Sequence, residues 1–215
     1  MPSSTAGQSR CVMILLIQKQ MKYITYNEAL VENLRTIGFK RKNKNSFVRM
    51  SGDARQELFF SHATHNQSFV KFYTIGIILE YPQIEELAKE IGVPTYGIGV
   101  DIGYLMPEKA YHEWEVRDSD SIESIEDVVE NMSLNILNYA IPYMDEYSRH
   151  EGLLKGLEEK RLQNRTDPRY CLPLLYCLME NKKRALETSE YYLEQNPNSK
   201  AYISFCDKLK QYVMI

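Results

Sequence analysis

From Ser68 to Leu79 the chain is apolar on both of its alternating faces. Phe69, Tyr73, Ile75, Ile77 and Leu79 share one parity, with Lys71 the exception, and Val70, Phe72, Thr74, Gly76 and Ile78 share the other. Successive side chains of an extended strand point to opposite faces. A segment apolar on both must be covered on both, so this one reads as the central strand of a sheet. Its neighbours in sequence are also strand-like: Ser46–Met50, Arg55–His62 with the run Leu58-Phe59-Phe60, Thr95–Leu105, and Tyr111–Arg117. In the last, His112, Trp114 and Val116 alternate with Glu113, Glu115 and Arg117, the pattern of an edge strand wet on one side. Short turns between strands, such as Asn66-Gln67, favour antiparallel pairing over crossover units.

Helices flank this sheet. Ala29, Leu30, Leu34 and Ile37 recur at helical spacing over Asn27–Ile37. Thr25 and Glu28 form a candidate capping box, and Gly38 is the stop. Gln83–Ile91 is a short helix closed by Gly92. A long helix follows Ser119-Asp120-Ser121, with Asp120 and Glu123 as its expected capping box. Ile122, Ile125, Val129, Met132, Ile136, Tyr139 and Tyr143 form one apolar stripe, and Pro142 is expected to kink or end the helix.

After Gly152 the chain turns wholly helical: Leu153–Leu162, Asp167–Asn181, Arg184–Gln195 and Lys200–Val213, with Asn196-Pro197-Asn198 as a break. The helix–turn–helix–Asn-Pro spacing resembles one tetratricopeptide-like unit. Leu172, Leu175, Leu178 and Met179 would face Ala185, Leu186, Tyr191 and Leu193. About three such units are needed to stand alone, so a lone hairpin is expected to dock on the rest of the protein. The expected class is α+β: an antiparallel sheet of about five strands packed with helices, then a helical tail. The divisions are 1–20, an N-terminal extension; 21–150, the α+β domain; and 151–215, the tail.

The 215 residues, 44% hydrophobic and 26% charged, suit a globular core, and the net charge of −3 supplies no general pull toward nucleic acid or anionic lipid. The apolar run Cys11–Ile17 is far short of the roughly 20 residues that span a bilayer. Met13 or Met21 is the expected natural start. Cys11, Cys171, Cys177 and Cys206 form no Cys-x-x-Cys pair and are expected to be reduced, in a cytoplasmic protein whose sequons at Asn66, Asn131 and Asn164 carry no sugar.

No motif declares catalysis, a metal or a cofactor. Gly97-x-Gly99-x-x-x-Gly103 comes near a dinucleotide fingerprint, but the spacing is wrong and Tyr104-Leu105-Met106-Pro107 continues extended instead of opening a helix. The glycines read instead as sites of close packing. The acidic group Asp118, Asp120, Glu123, Glu126 and Asp127 complements a helix N-terminus. His62 and His65 sit beside a turn without a third ligand at clear spacing. The alternative to a binding role is a hydrolase or nucleotide-processing enzyme, for which His62, His65, His112 and Asp101 would have to converge. The strongest local charge feature is Lys40-Arg41-Lys42 with Lys44 and Arg49; it protects an edge strand from pairing, or meets an acidic partner surface or phosphate.

Leu34-Arg-Thr-Ile37-Gly38-Phe39-Lys40-Arg41-Lys42, followed by Ser46-Phe47-Val48-Arg49, resembles the opening of the bacterial DUF4304 family. The resemblance continues through Glu57–Phe60, Phe69–Ile78 and a late helix, over roughly residues 25–150. Ser61-His62 departs from the glutamine-containing stretch more usual there, and the tail lies outside it. The family has no established activity to carry over, and the resemblance suggests, by analogy, an accessory or immunity-like partner of another protein. The expected function is therefore protein binding without catalysis. Lys40, Arg41, Lys42, Lys44, Arg49 and Trp114 are the candidate contact residues.

Overall fold

The computed structural model describes residues 28–93, 97–162 and 168–214. The Thr25 cap, the Cys11–Ile17 run, the start of the Thr95 strand and Asp167 lie outside them. The fold is α+β. Its elements are α1 (Glu28–Thr36), β1 (Lys40–Asn43), β2 (Ser46–Ser51), β3 (Ala54–Ala63), β4 (Val70–Glu80), α2 (Pro82–Ile91) and β5 (Ile98–Asp101). A 3-10 turn (Ile102–Tyr104), β6 (Trp114–Arg117), α3 (Ile122–Asn135), a π-helical turn (Ile136–Ala140) and α4 (Ile141–Glu146) follow. The tail is α5 (His150–Glu158), α6 (Pro168–Leu178), α7 (Lys182–Gln195) and α8 (Lys200–Met214).

The sheet has the order β1-β2-β3-β4-β5, and β6 also pairs with β4. β4 is the central strand: it carries an unbroken buried stretch from Tyr73 to Ile77. β6 lies antiparallel along its first half, Val70 opposite Arg117 and Tyr73 opposite Trp114. β5 is shorter than the expected strand, because Asp101 breaks the extension by accepting the Gly103 N–H at 2.9 Å and starting the 3-10 turn.

By contacts the chain divides into two compact units that interleave in sequence. Of the described residues, the first takes 28–48, 58–76 and 101–140; the second takes 49–57, 77–93, 97–100, 141–162 and 168–214.

In the first unit α1 packs on α3 through Leu30 and Leu34, and Asn33 Nδ2 donates to Ser133 Oγ at 3.3 Å. The cap of α3 is Ser121, one residue past the expected Asp120: its hydroxyl accepts the Ser124 N–H, while Asp120 accepts the Arg117 N–H at 2.6 Å. Ile125, Val129, Met132 and Ile136 face inward as the stripe required, but Ile122 in the first turn is exposed. The π-helical turn ends two residues before Pro142. Widening the helix there accommodates a proline ring that would clash with the carbonyl four residues back.

In the second unit α6 packs against α2, α5 and α7, so the hairpin does not stand alone. Cys171 through Tyr176 are all buried, which a helix covered on several sides demands. Pro173 has no N–H for the Arg169 carbonyl, and the buried Tyr202 hydroxyl donates to that carbonyl instead, at 3.1 Å. α8 packs with Tyr202, Phe205, Cys206 and Leu209, one helical face. Cys171, Cys177 and Cys206 are free thiols; burial pushes Cys171 up to about 12 and Cys177 up to about 11.

Candidate protein-binding cleft

Within the second unit a surface cleft of about 370 Å³ opens between α5, α6 and α7. Local rules place each wall. α6 ends as Glu180 turns left-handed (φ 58°) and the Asn181 N–H reaches back to the Tyr176 carbonyl at 2.8 Å. The Asn181 side chain then accepts the Arg184 N–H and starts α7, which holds the hairpin turn to a few residues. Ala185 and Ser189, four apart, face inward, and Cys206 Sγ approaches the Ser189 carbonyl at 3.6 Å. That close seat on small residues turns the larger ones outward: Tyr191 is 58% exposed, not packed against α6 as its apolar ring led the sequence to suggest.

The cleft is lined by Tyr176, Tyr191 and Tyr192, with Glu158, Glu187 and Arg184 among them. Tyr176 donates its hydroxyl to Glu158. Burial first, then that bond, raises the Tyr176 phenol above its ordinary value. The Arg184 guanidinium lies 5.8 Å from the centre of the Tyr176 ring and 3.7 Å from Glu187. Tyr191 and Tyr192 meet edge to face at 5.2 Å. Tyrosine and arginine are among the side chains enriched where proteins meet. No sequence motif announces the cleft, because three helices contribute its residues.

The residues singled out from sequence fall elsewhere. Lys40, Arg41 and Lys42 are exposed on β1, and Lys44 is exposed in the following turn. Arg41 Nη1 donates to the Lys44 carbonyl at 3.2 Å and lies over the Phe47 ring. Arg49 is a packing residue: its side chain is 13% exposed, and it bonds Gln56 at 2.7 Å and Asp145 at 2.6 Å. Trp114 is equally internal, 6% exposed, with its indole N–H given to Asn131 at 2.8 Å and the His112 ring against its edge. Both side chains are largely taken up by internal contacts.

Of the four residues of the enzyme alternative, Asp101 and His112 lie close enough to interact electrostatically, and Glu113 neighbours both Asp101 and His65. His62 lies on the Tyr73 ring; His65 bonds Glu113 at 3.0 Å and packs on Phe72; Tyr111 also donates to Glu113, at 2.8 Å. Among the described residues no group of three or more His, Cys, Asp or Glu is placed to hold a metal ion. No helix among them is long and apolar enough to cross a membrane.

Asp101 is half-buried, and desolvation raises its carboxyl above the ordinary value against the pull of the Gly103 N–H and His112. A raised folded-state value in an acid means the charged form is disfavoured in the fold. The penalty is absent below the ordinary carboxylate range and develops as pH rises through it. Asp101→Asn keeps an oxygen for Gly103. We expect it to melt above the parent at neutral pH, with the advantage shrinking to nothing as the pH falls below the carboxylate range. Melting temperatures across pH check this; an advantage independent of pH contradicts it.

Compared with protein-family models, with curated proteins and with solved structures, the chain matches none.

Proposed function

We propose that this protein is a protein-binding module and that its partner sits in the cleft between α6 and α7. The observation that carries the reading is the exposed Tyr191 on the rim of a cleft that also holds two further tyrosines and charges of both signs. The free thiols of α6 and α8 support a reducing, cytoplasmic setting. The resemblance of residues 34–49 to the DUF4304 family supports the narrower form of the reading, an immunity-like partner of a toxin.

A photo-crosslinking amino acid at position 191 of the full chain, in the native cell, tests the surface. We expect a discrete adduct that is absent when the crosslinker stands at Met50, an exposed position on β2. With the partner in hand, Tyr191→Ala should weaken binding about tenfold or more, the usual loss for a tyrosine at the centre of an interface. Position 191 giving nothing that position 50 does not give defeats the reading. Co-expression with the toxins of adjacent loci tests the narrower form, and failure to rescue any of them removes it.

A further inference from the structure

We infer that the cleft recognises a cationic side chain of the partner, an arginine or a lysine, held between tyrosine rings and carboxylates. This rests on the cleft being the binding surface proposed above. Two carboxylates, Glu158 and Glu187, line it against one guanidinium, Arg184. Arg184 is engaged by Glu187 and by the Tyr176 ring, whereas Glu187, which also faces the exposed Lys183 at 3.7 Å, and Glu158, which takes the Tyr176 hydroxyl, each keep acceptor capacity for a second cation. The cleft demonstrates the preferred chemistry on its own residue: a guanidinium near a tyrosine face with a carboxylate within 4 Å is the arrangement Arg184 makes with Tyr176 and Glu187. Tyr191 repeats the elements on the outer wall, 58% exposed, one turn beyond Glu187 on the same face of α7.

The surroundings reinforce the sign. Glu190 and Glu194 continue the face that holds Glu187 and Tyr191. The last turn of α7, where Tyr191 and Tyr192 stand, is the negative end of the helix dipole. Glu190 is held by Lys210 at 3.0 Å, so a carboxylate or phosphate entering there would meet like charge chiefly from Glu187, Glu194 and the helix end. An aliphatic side chain would meet the tyrosine rings and the buried Leu172 but would leave the carboxylates unused. A cation meets ring faces and carboxylates together.

The full chain, with its tyrosine rings isotope-labelled, can be titrated by NMR with three capped amino acids: N-acetylarginine methylamide, N-acetylglutamate methylamide and N-acetylnorleucine methylamide. Saturable shifts of the Tyr191 and Tyr192 rings are expected with the arginine compound, in the millimolar range, and at least about tenfold weaker with the other two. Glu187→Gln and Tyr191→Leu should each remove most of the arginine response while leaving the melting curve in place, because both side chains are largely exposed. Equal response to norleucine or glutamate overturns the inference, as does an arginine response unchanged in Glu187→Gln or one that never saturates. If position 191 crosslinks a partner and arginine does not bind, the cleft stands and its cationic preference falls. If arginine binds and nothing crosslinks, the reverse holds.

Discussion

Arg49→Ala destabilises the fold by about 2–4 kcal/mol, whereas Lys44→Ala, on an exposed turn of the same basic run, changes stability by about 0.5 kcal/mol or less. The difference lies in Gln56, which is 0% exposed on β3. Its amide has two duties: Nε2 donates to the Met144 carbonyl at 2.8 Å, and Oε1 accepts from Arg49 Nε at 2.7 Å. Removing Arg49 leaves Oε1 buried without that donor, and a buried polar atom stripped of its partner costs more than the bond is worth in an exposed setting. The Arg49–Asp145 bond is half in solvent on the Asp145 side and adds less. Urea denaturation of the two single variants gives the comparison. A cycle with Gln56→Ala should show coupling of about 1–2 kcal/mol. Equal, small losses at positions 44 and 49 would return Arg49 to the surface.

Arg49 also marks how far the sequence reaches. The strands were legible because alternation and turn residues are local. β2, β3 and β4 begin and end within a few residues of their expected limits, as do α2 with its Gly92 stop and the helices of the tail. What was not legible depended on who stands opposite. The basic run Lys40 to Arg49 looks uniform in sequence, yet it splits into exposed residues on β1 and one arginine tied to a buried glutamine. Trp114 looks like a recognition residue until Asn131 is found beneath its ring nitrogen. Tyr191 looks like core until Ala185 and Ser189 are seen to hold the contact with the neighbouring helices. In each case the fact that decides belongs to a partner far away in the chain. The cleft was hidden for the same reason.

Gly103→Ala carries the second large effect: a loss of about 1–3 kcal/mol, which for a chain of this length lowers the melting temperature by roughly 2–12 °C. A Cβ at position 103 would stand 2.3 Å from the Ala110 carbonyl oxygen and 2.8 Å from His112. Carbonyl and backbone atoms are not the far end of a flexible side chain, so the clash is relieved only by moving one segment of main chain away from the other. Movement on the Gly103 side is resisted, because its N–H is held by Asp101 at 2.9 Å and the 3-10 turn is buried at Ile102. Gly99, in the same glycine run, has nothing nearer than the Ile77 carbonyl at 3.8 Å. Gly99→Ala therefore meets no obstacle, and restricting the unfolded chain stabilises it by about 0.4–1 kcal/mol. Thermal melts of the two variants should thus move in opposite directions. That contrast separates a run whose glycines differ in how closely they are packed from a phosphate loop, in which the glycines act together and binding, not stability, is what a methyl group destroys. Matching melting temperatures for the two variants would remove the packing explanation.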